Sequence, residues 1–128
     1  MEFKVKSLYL RISPRKVRPV LYGLRNMTAE EAKNALAFTN KKAAGLLFDI
    51  VKSGIAVAKE NYFDANQVTV KSFTCNEGPR LKRMQPWSKG QARTITKRLC
   101  HLTLVLEAPE KEVQNKTKTD NIENKEEK

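Results

Sequence analysis

Residues 2–11 alternate between apolar and polar positions, with Phe3, Val5 and Tyr9 on one side of a period-two pattern, and this predicts a strand. The period then changes. Ser13 is placed to cap a helix with Pro14 at its first position, where a missing N–H removes no helical bond. Val17, Val20, Leu21 and Leu24 recur at helical spacing as an apolar stripe. Arg15, Arg18 and Arg25, with Tyr22 among them, lie on a different face about 120° round at 3.6 residues per turn. One side packs and the other offers cations. Pro19 falls inside this segment and predicts a kink or a loose first turn, because it removes one intrahelical hydrogen bond.

A second, short helix is predicted from Thr28, which forms a capping box with Glu31 ahead of the run AKNALAF. A third and longer one is expected from about Lys41 to Asn61, capped by Thr39 or Asn40. Its buried face is read as Ala43, Leu46, Leu47, Ile50, Gly54, Val57 and Ala58. Glycine in that stripe costs up to about 1 kcal/mol against alanine, so something is expected to pack closely against Gly54. After the polar turn FDANQ, strands are predicted over residues 67–76 and 99–107, where Leu102, Leu104 and Leu106 alternate cleanly.

Between those two strands lies RLKRMQPWSKGQARTITKR, residues 80–98, with seven Lys or Arg and no acid. Its few apolar residues are too scattered to bury a face. Gly78-Pro79 and Pro86…Gly90 are its strong breakers, which predicts a hairpin over 77–98 turning at Pro86–Gly90. Arms of about eight to ten residues at about 3.3 Å each reach roughly 25 to 30 Å, beyond any core.

Charge sharpens the picture. The chain of 128 residues carries a formal net charge of +11, and residues 1–109 hold the excess, about +12, with 20 basic and eight acidic groups. Such a balance argues for a polyanionic partner. Seven like charges on a two-stranded arm repel one another, so the arm makes sense where phosphates neutralise it. The Gly, Pro, Ser, Thr and Gln residues among the cations suit close approach to an RNA backbone rather than groove reading by a helix. Trp87 at the tip has three readings: stacking on a base, covering a protein partner, or simple exposure. Lys33, Lys52 and Lys59 read as a solvated face. Residues 110–128 mix five basic and six acidic groups with only Val113 and Ile122 as large apolar residues, and are expected to be a disordered tail.

Other classes recede. No apolar run approaches the roughly 20 residues of a spanning helix, and the N-terminus lacks the apolar stretch of a signal peptide, so a cytosolic protein is expected. Cys75 and Cys100 could face each other across paired strands, and two reduced, buried thiols are expected in that compartment. His101, the single histidine, neighbours Cys100 along a strand, so their side chains diverge. It reads as a structural histidine or one touching phosphate. With three candidate N or S ligands, no metal site is expected, and no phosphate-binding glycine motif is present. No cofactor and no enzymatic activity are expected.

SPRKVRPV at 13–20, TNKKAAGLL at 39–47, NEGPRLKRMQP at 76–86 and SKGQARTITKRLCHLTLVL at 88–106 resemble, in order and spacing, the bacterial-type ribosomal large-subunit protein L-twenty-two family. The resemblance covers about residues 5–107. It implies an α+β fold, three helices packed on a small three-stranded antiparallel sheet with a long protruding β-hairpin, forming a single RNA-binding domain over 1–109. It implies a structural constituent of the large ribosomal subunit, in the cytoplasm, that binds 23S-type rRNA and supports assembly. The hairpin would line the nascent-peptide exit tunnel, its tip opposite the loop of ribosomal protein L-four at the constriction. No homo-oligomer is expected. A free-standing RNA-binding regulatory protein is the alternative.

Carried over by position, the expected rRNA-binding residues are Ser13, Lys16 and Arg18 in the first helical region and Lys41 and Lys42 at the start of the long helix. In the hairpin they are Lys82, Arg83, Lys89, Lys97 and Arg98, with Leu81 in the matching first arm and His101 at the end of the returning one. The cationic face of the first helical region adds Arg15 and Arg25, and the basic arm itself adds Arg80, Arg93, Thr94 and Thr96 to the expected rRNA-binding set. The expected tip is Pro86, Trp87, Ser88, Lys89, Gly90, Gln91 and Ala92. The family tip commonly reads PRAKGRA, so Trp87 and Gln91 replace two usual arginines, and Trp87 is expected to substitute stacking for lost charge. Pro19 and Gly54 also depart from the usual aliphatic residue and alanine.

Overall fold

The computed structural model describes residues 1–61 and 63–109; the expected disordered tail lies outside them. Strand β1 (Glu2–Leu10) leads into helix α1 (Pro14–Leu21) and a 3-10 turn (Tyr22–Leu24). Helices α2 (Ala29–Phe38) and α3 (Lys42–Glu60) follow, then strands β2 (Thr69–Pro86) and β3 (Ala92–Glu107), joined by a second 3-10 turn (Ser88–Gly90). The sheet is antiparallel in the order β1-β3-β2. The expected α+β fold of three helices on a three-stranded antiparallel sheet is therefore present.

One sheet face carries the core. Phe3, Val70, Phe73, Cys75, Cys100, Leu102, Leu104 and Leu106 are all buried, beneath α3, which packs on β1 and β3, and α1, which packs on β2. The alternate positions Lys4, Lys6, Lys71 and Thr74 are exposed. A register shift between Val70 and Ser72 lets Val70 and Phe73, three apart, share the buried face. The close approach expected at Gly54 is made by β3: a Cβ there would lie 2.8 Å from Leu106 Cδ1 and 3.2 Å from Leu104 Cδ2.

Several expectations are corrected. Tyr9 does not share the face of Phe3, because a bulge between Ser7 and Leu10 and a φ of 57° at Tyr9 turn it out, 60% exposed. Ser13 occupies the N-cap position of α1, but its side chain makes no capping hydrogen bond. The helix runs through Pro19 and ends at Leu21, so Arg25, in extended backbone beyond the 3-10 turn, is not on it. The capping box of α2 forms as expected: Glu31 N–H donates to Thr28 Oγ1 (3.3 Å) and Thr28 N–H to Glu31 Oε2 (3.0 Å). Thr39 instead ends α2, its hydroxyl donating to the Ala35 carbonyl (2.8 Å), and Lys41 takes the N-cap position of α3. The buried face of α3 is wider than one stripe, taking in Ala44, Val51 and Ile55, because α2 and α1 cover a second side. Val57 falls outside it and is exposed.

Candidate nucleic-acid interface

The β2–β3 ladder continues past the core as far as the pair Pro86↔Ala92, six residues beyond Arg80, or about 20 Å at about 3.3 Å per residue. Of the residues from 80 to 98, only Leu81 and Ile95 are partly buried. The arm begins at an irregularity between Glu77 and Arg80, where Gly78 sits so close to the neighbouring strand that a Cβ would lie 3.2 Å from His101 Nε2 and 3.3 Å from the Leu99 carbonyl carbon. The tip closes through Trp87 N–H donating to the Gln91 carbonyl (2.7 Å), with Lys89 and Gly90 both at positive φ (57° and 72°).

Strand alternation sorts the arm's side chains. Leu81, Arg83, Ile95 and Lys97 share one face through the pairs Leu81↔Lys97 and Arg83↔Ile95, while Arg80, Lys82, Thr94, Thr96 and Arg98 take the other. Near the root, residues of both faces border a cleft of about 1000 Å3 against the helical body. Arg11, Ser13, Lys16, Lys41 and Lys42 line its body side, and Leu81, Arg83, Thr96, Lys97 and Arg98 its hairpin side. Ile12, Ala43 and Leu99 are buried beneath it, and exposed Pro19 also lines it. Seven cations thus line one concavity with no acid among its lining residues. Adjacent Leu99 and Cys100 are both buried because they serve different spaces: Cys100 joins the core cluster and Leu99 the cleft.

Nine of the residues singled out from sequence therefore converge: Ser13, Lys16, Lys41, Lys42, Leu81, Arg83, Thr96, Lys97 and Arg98. Arg11 was missed; its signal is the basic residue directly before Ile12-Ser13-Pro14. Arg18 and Arg25 are not in the cleft but beside a smaller hollow of about 260 Å3 with Tyr22, Phe73 and Asn76. There Arg18 Nη2 donates to the Cys75 carbonyl (3.3 Å), and the Arg25 guanidinium lies 5.7 Å from the Tyr22 ring centroid. Arg15 lines neither concavity.

Internal pairing divides the hairpin cations. Glu77 holds Arg80 at 3.2 Å and Arg98 at 3.8 Å, whereas Lys82, Arg83, Lys89 and Lys97 have no carboxylate partner among the described residues. Arg93 sits 5.7 Å from the Trp87 ring centroid, so within this chain Trp87, 58% exposed, already meets a cation. His101 is engaged internally: its Nδ1 accepts the Tyr9 N–H (3.0 Å), and its ring meets Tyr9 edge-on at 4.8 Å. That bond uses Nδ1 as an acceptor and leaves Nε2 on the side of Gly78.

The cysteines are buried free thiols. Burial raises the pKa of Cys75, partly offset by a hydrogen bond with Cys100 and the charge of Arg18. Burial, reinforced by Cys75, pushes Cys100 up to about 12, so neither is poised as a nucleophile. No group of three or more His, Cys, Asp or Glu among the described residues could hold a metal. No described helix is long and apolar enough to cross a membrane.

The sequence is similar to known proteins. The family described as ribosomal protein L22p/L17e matches residues 5–107. The large ribosomal subunit protein uL22 of Rubrobacter xylanophilus is 45% identical over 80% of this chain and 81% of its own length. That of Oleidesulfovibrio alaskensis is 40% identical over 84% of this chain and 98% of its own, and that of Fervidobacterium nodosum 37% identical over 91% and 80%. The chain belongs to the ribosomal protein L22p/L17e family.

Proposed function

We propose that the acid-free cleft and the hairpin beside it form the surface by which this chain grips large-subunit rRNA. As a member of its family the chain is a structural constituent of the large ribosomal subunit and not an enzyme, and its partners are rRNA and other ribosomal proteins. The observation that carries the finer reading is the convergence of seven cations from three separate segments on one concavity, an arrangement that like-charge repulsion disfavours unless an anion fills it. The grip on this reading is made by Arg11, Lys16, Lys41, Lys42, Arg83, Lys97 and Arg98, with the Ser13 hydroxyl, unused as a cap, free to meet phosphate or a 2′-hydroxyl. Arg15, Arg18 and Arg25 extend the contact along the first helical region. Lys82 and Thr94 meet RNA on the hairpin's opposite face. His101 acts in positioning the hairpin root through Tyr9.

Residues 1–109 act as one binding domain. The exposed arm runs along the nascent-peptide exit tunnel, its Pro86–Ala92 tip near ribosomal protein L-four and the passing peptide. What supports this is family membership together with an arm that contributes almost nothing to the chain's own core.

Two measurements test the proposal. On a lysate gradient the chain should sediment with the large subunit in moderate salt; a soluble pool indifferent to magnesium and ribonuclease would favour a free-standing RNA-binding regulator instead. For the isolated protein, neutralising about seven phosphates on single-stranded RNA predicts a slope of log K against log salt of about −5. A slope near zero would remove the electrostatic basis.

A further inference from the structure

The cleft has two chemical zones. Its rim is cationic, but its floor is apolar: Ile12, Ala43 and Leu99 are buried there, Leu81 is half-buried, and exposed Pro19 also lines it. A rim alone would serve for phosphates. An A-form duplex offers phosphates and 2′-hydroxyls on a convex surface with its bases stacked inside, so it can ride on the rim and leave the floor empty. An unpaired nucleotide offers what the floor lacks, a flat ring whose faces cover apolar surface while its polar edge stays towards the open rim, attached to phosphates that reach the rim. At about 1000 Å3 the cleft is at the large end of small-molecule sites, ample for a base with its flanking backbone.

We propose that this cleft receives an unstacked nucleotide of the bound RNA, its base against Leu81, Leu99 and Pro19 and its flanking phosphates on Lys41, Lys42 and Lys97. The inference rests on the RNA-binding reading above and deepens it by naming a single-stranded bulge or loop as the preferred element. The absence of any aromatic or carboxylate lining residue has a consequence. Base identity is read weakly, since nothing there accepts a hydrogen bond from one base edge and refuses another apart from backbone and hydroxyl groups. The contact is therefore selective for unpairing rather than for sequence. A protein side chain filling the same floor would need no ring of cations around it, which is why RNA is the better fit.

The test uses the full chain with two RNA stem-loops, one fully paired in its stem and one carrying a single unpaired 2-aminopurine in the stem, both titrated at equal salt. The bulged probe should bind about tenfold more tightly, and its fluorescence should change on binding. Leu81→Ala, which trims the floor on the exposed arm and leaves the core untouched, should shrink that ratio to within about threefold, with circular dichroism confirming the fold. Lys41→Ala with Lys42→Ala should instead weaken both probes and flatten the salt slope. Equal, salt-dependent binding of both probes would overturn the nucleotide inference while leaving RNA binding intact. Weak, salt-independent binding of both would overturn the parent reading. A bulge preference indifferent to Leu81→Ala would overturn the assignment to this cleft.

Discussion

Replacing Gly54 by a larger residue should test how the helical body is docked on the sheet. A Cβ at this position would lie 2.8 Å from Leu106 Cδ1 and 3.2 Å from Leu104 Cδ2, inside the roughly 3.5–4.0 Å optimum for carbon pairs. Both leucines are fully buried, so they yield only by disturbing their own neighbours. Gly54→Ala gains up to about 1 kcal/mol of helix propensity against about 1–3 kcal/mol of overpacking, for a net loss of about 0–2 kcal/mol. Gly54→Val adds two methyl groups in the same place with a smaller propensity gain, so it should cost about 2–4 kcal/mol. For a domain of this size that lowers Tm by roughly 10 °C or more, read by circular dichroism. The clash also predicts coupling. Leu106→Ala alone should cost about 2–5 kcal/mol, and the double variant with Gly54→Ala should cost less than the sum, because Gly54→Ala fills space that Leu106→Ala vacates. A Gly54→Val protein melting within about 2 °C of the natural sequence, or strict additivity in the cycle, would refute the reasoning.

Other outcomes follow from single features. Thr28→Ala removes the acceptor for the Glu31 N–H at the start of α2 and should cost about 1 kcal/mol, seen as a lower denaturant midpoint at unchanged m-value. Neither cysteine should react with iodoacetamide in the folded protein at pH 8, and both should on unfolding; native-state labelling of Cys100 would contradict its burial. Because the folded state raises both thiol pKa values, their contribution to stability is whole below the ordinary thiol value. It fades as pH rises from 9.0 towards the Cys100 value of about 12, so denaturant midpoints should fall across that window. Glu77→Gln should loosen the hairpin root, raising amide exchange across residues 80–98 while the core strands stay protected; uniform protection would show that its two ion pairs do nothing there.

Much of this was legible in the chain because local rules and the tertiary outcome agree. The capping box at Thr28, the Leu102–Leu106 alternation and the turn at Pro86–Gly90 each depend on neighbours within a few residues, and each is present. What failed is what periodicity cannot carry. A bulge before Leu10 shifts register by an amount no alternation records, and so exposed Tyr9. Val57 lies on an apolar stripe, yet which stripe is buried depends on where β3 and α2 lie. Thr39 had two uses available and took the C-terminal one. The cleft was legible only in pieces: sequence found cations on α1, α3 and the hairpin but not their convergence, and it passed over Arg11, which has no helical or strand partner to advertise it. The apolar floor was invisible, since nothing in the local pattern distinguishes Ile12 or Leu99 from any other apolar residue beside a helix or strand.

The distribution of acid accounts for how so basic a hairpin pairs as a ladder. Arg80 and Arg98 are direct cross-strand partners, a like-charge pair that disfavours strand pairing. They sit at the root of the arm, where the two strands leave the support of the core. Glu77 reaches both, at 3.2 and 3.8 Å, and although each exposed pair is worth at most about 1 kcal/mol, it removes repulsion where the ladder begins. Further out the pairs set a cation opposite an uncharged residue: Lys82 faces Thr96, Arg83 faces Ile95, Arg93 faces Gln85 and Leu81 faces Lys97. Only the root needed an acid, and it is the only part of the arm that has one. The remaining positive charge is left without carboxylate partners on the cleft face and towards the tip, so the arm pairs as a ladder while its cations stay available to an outside polyanion.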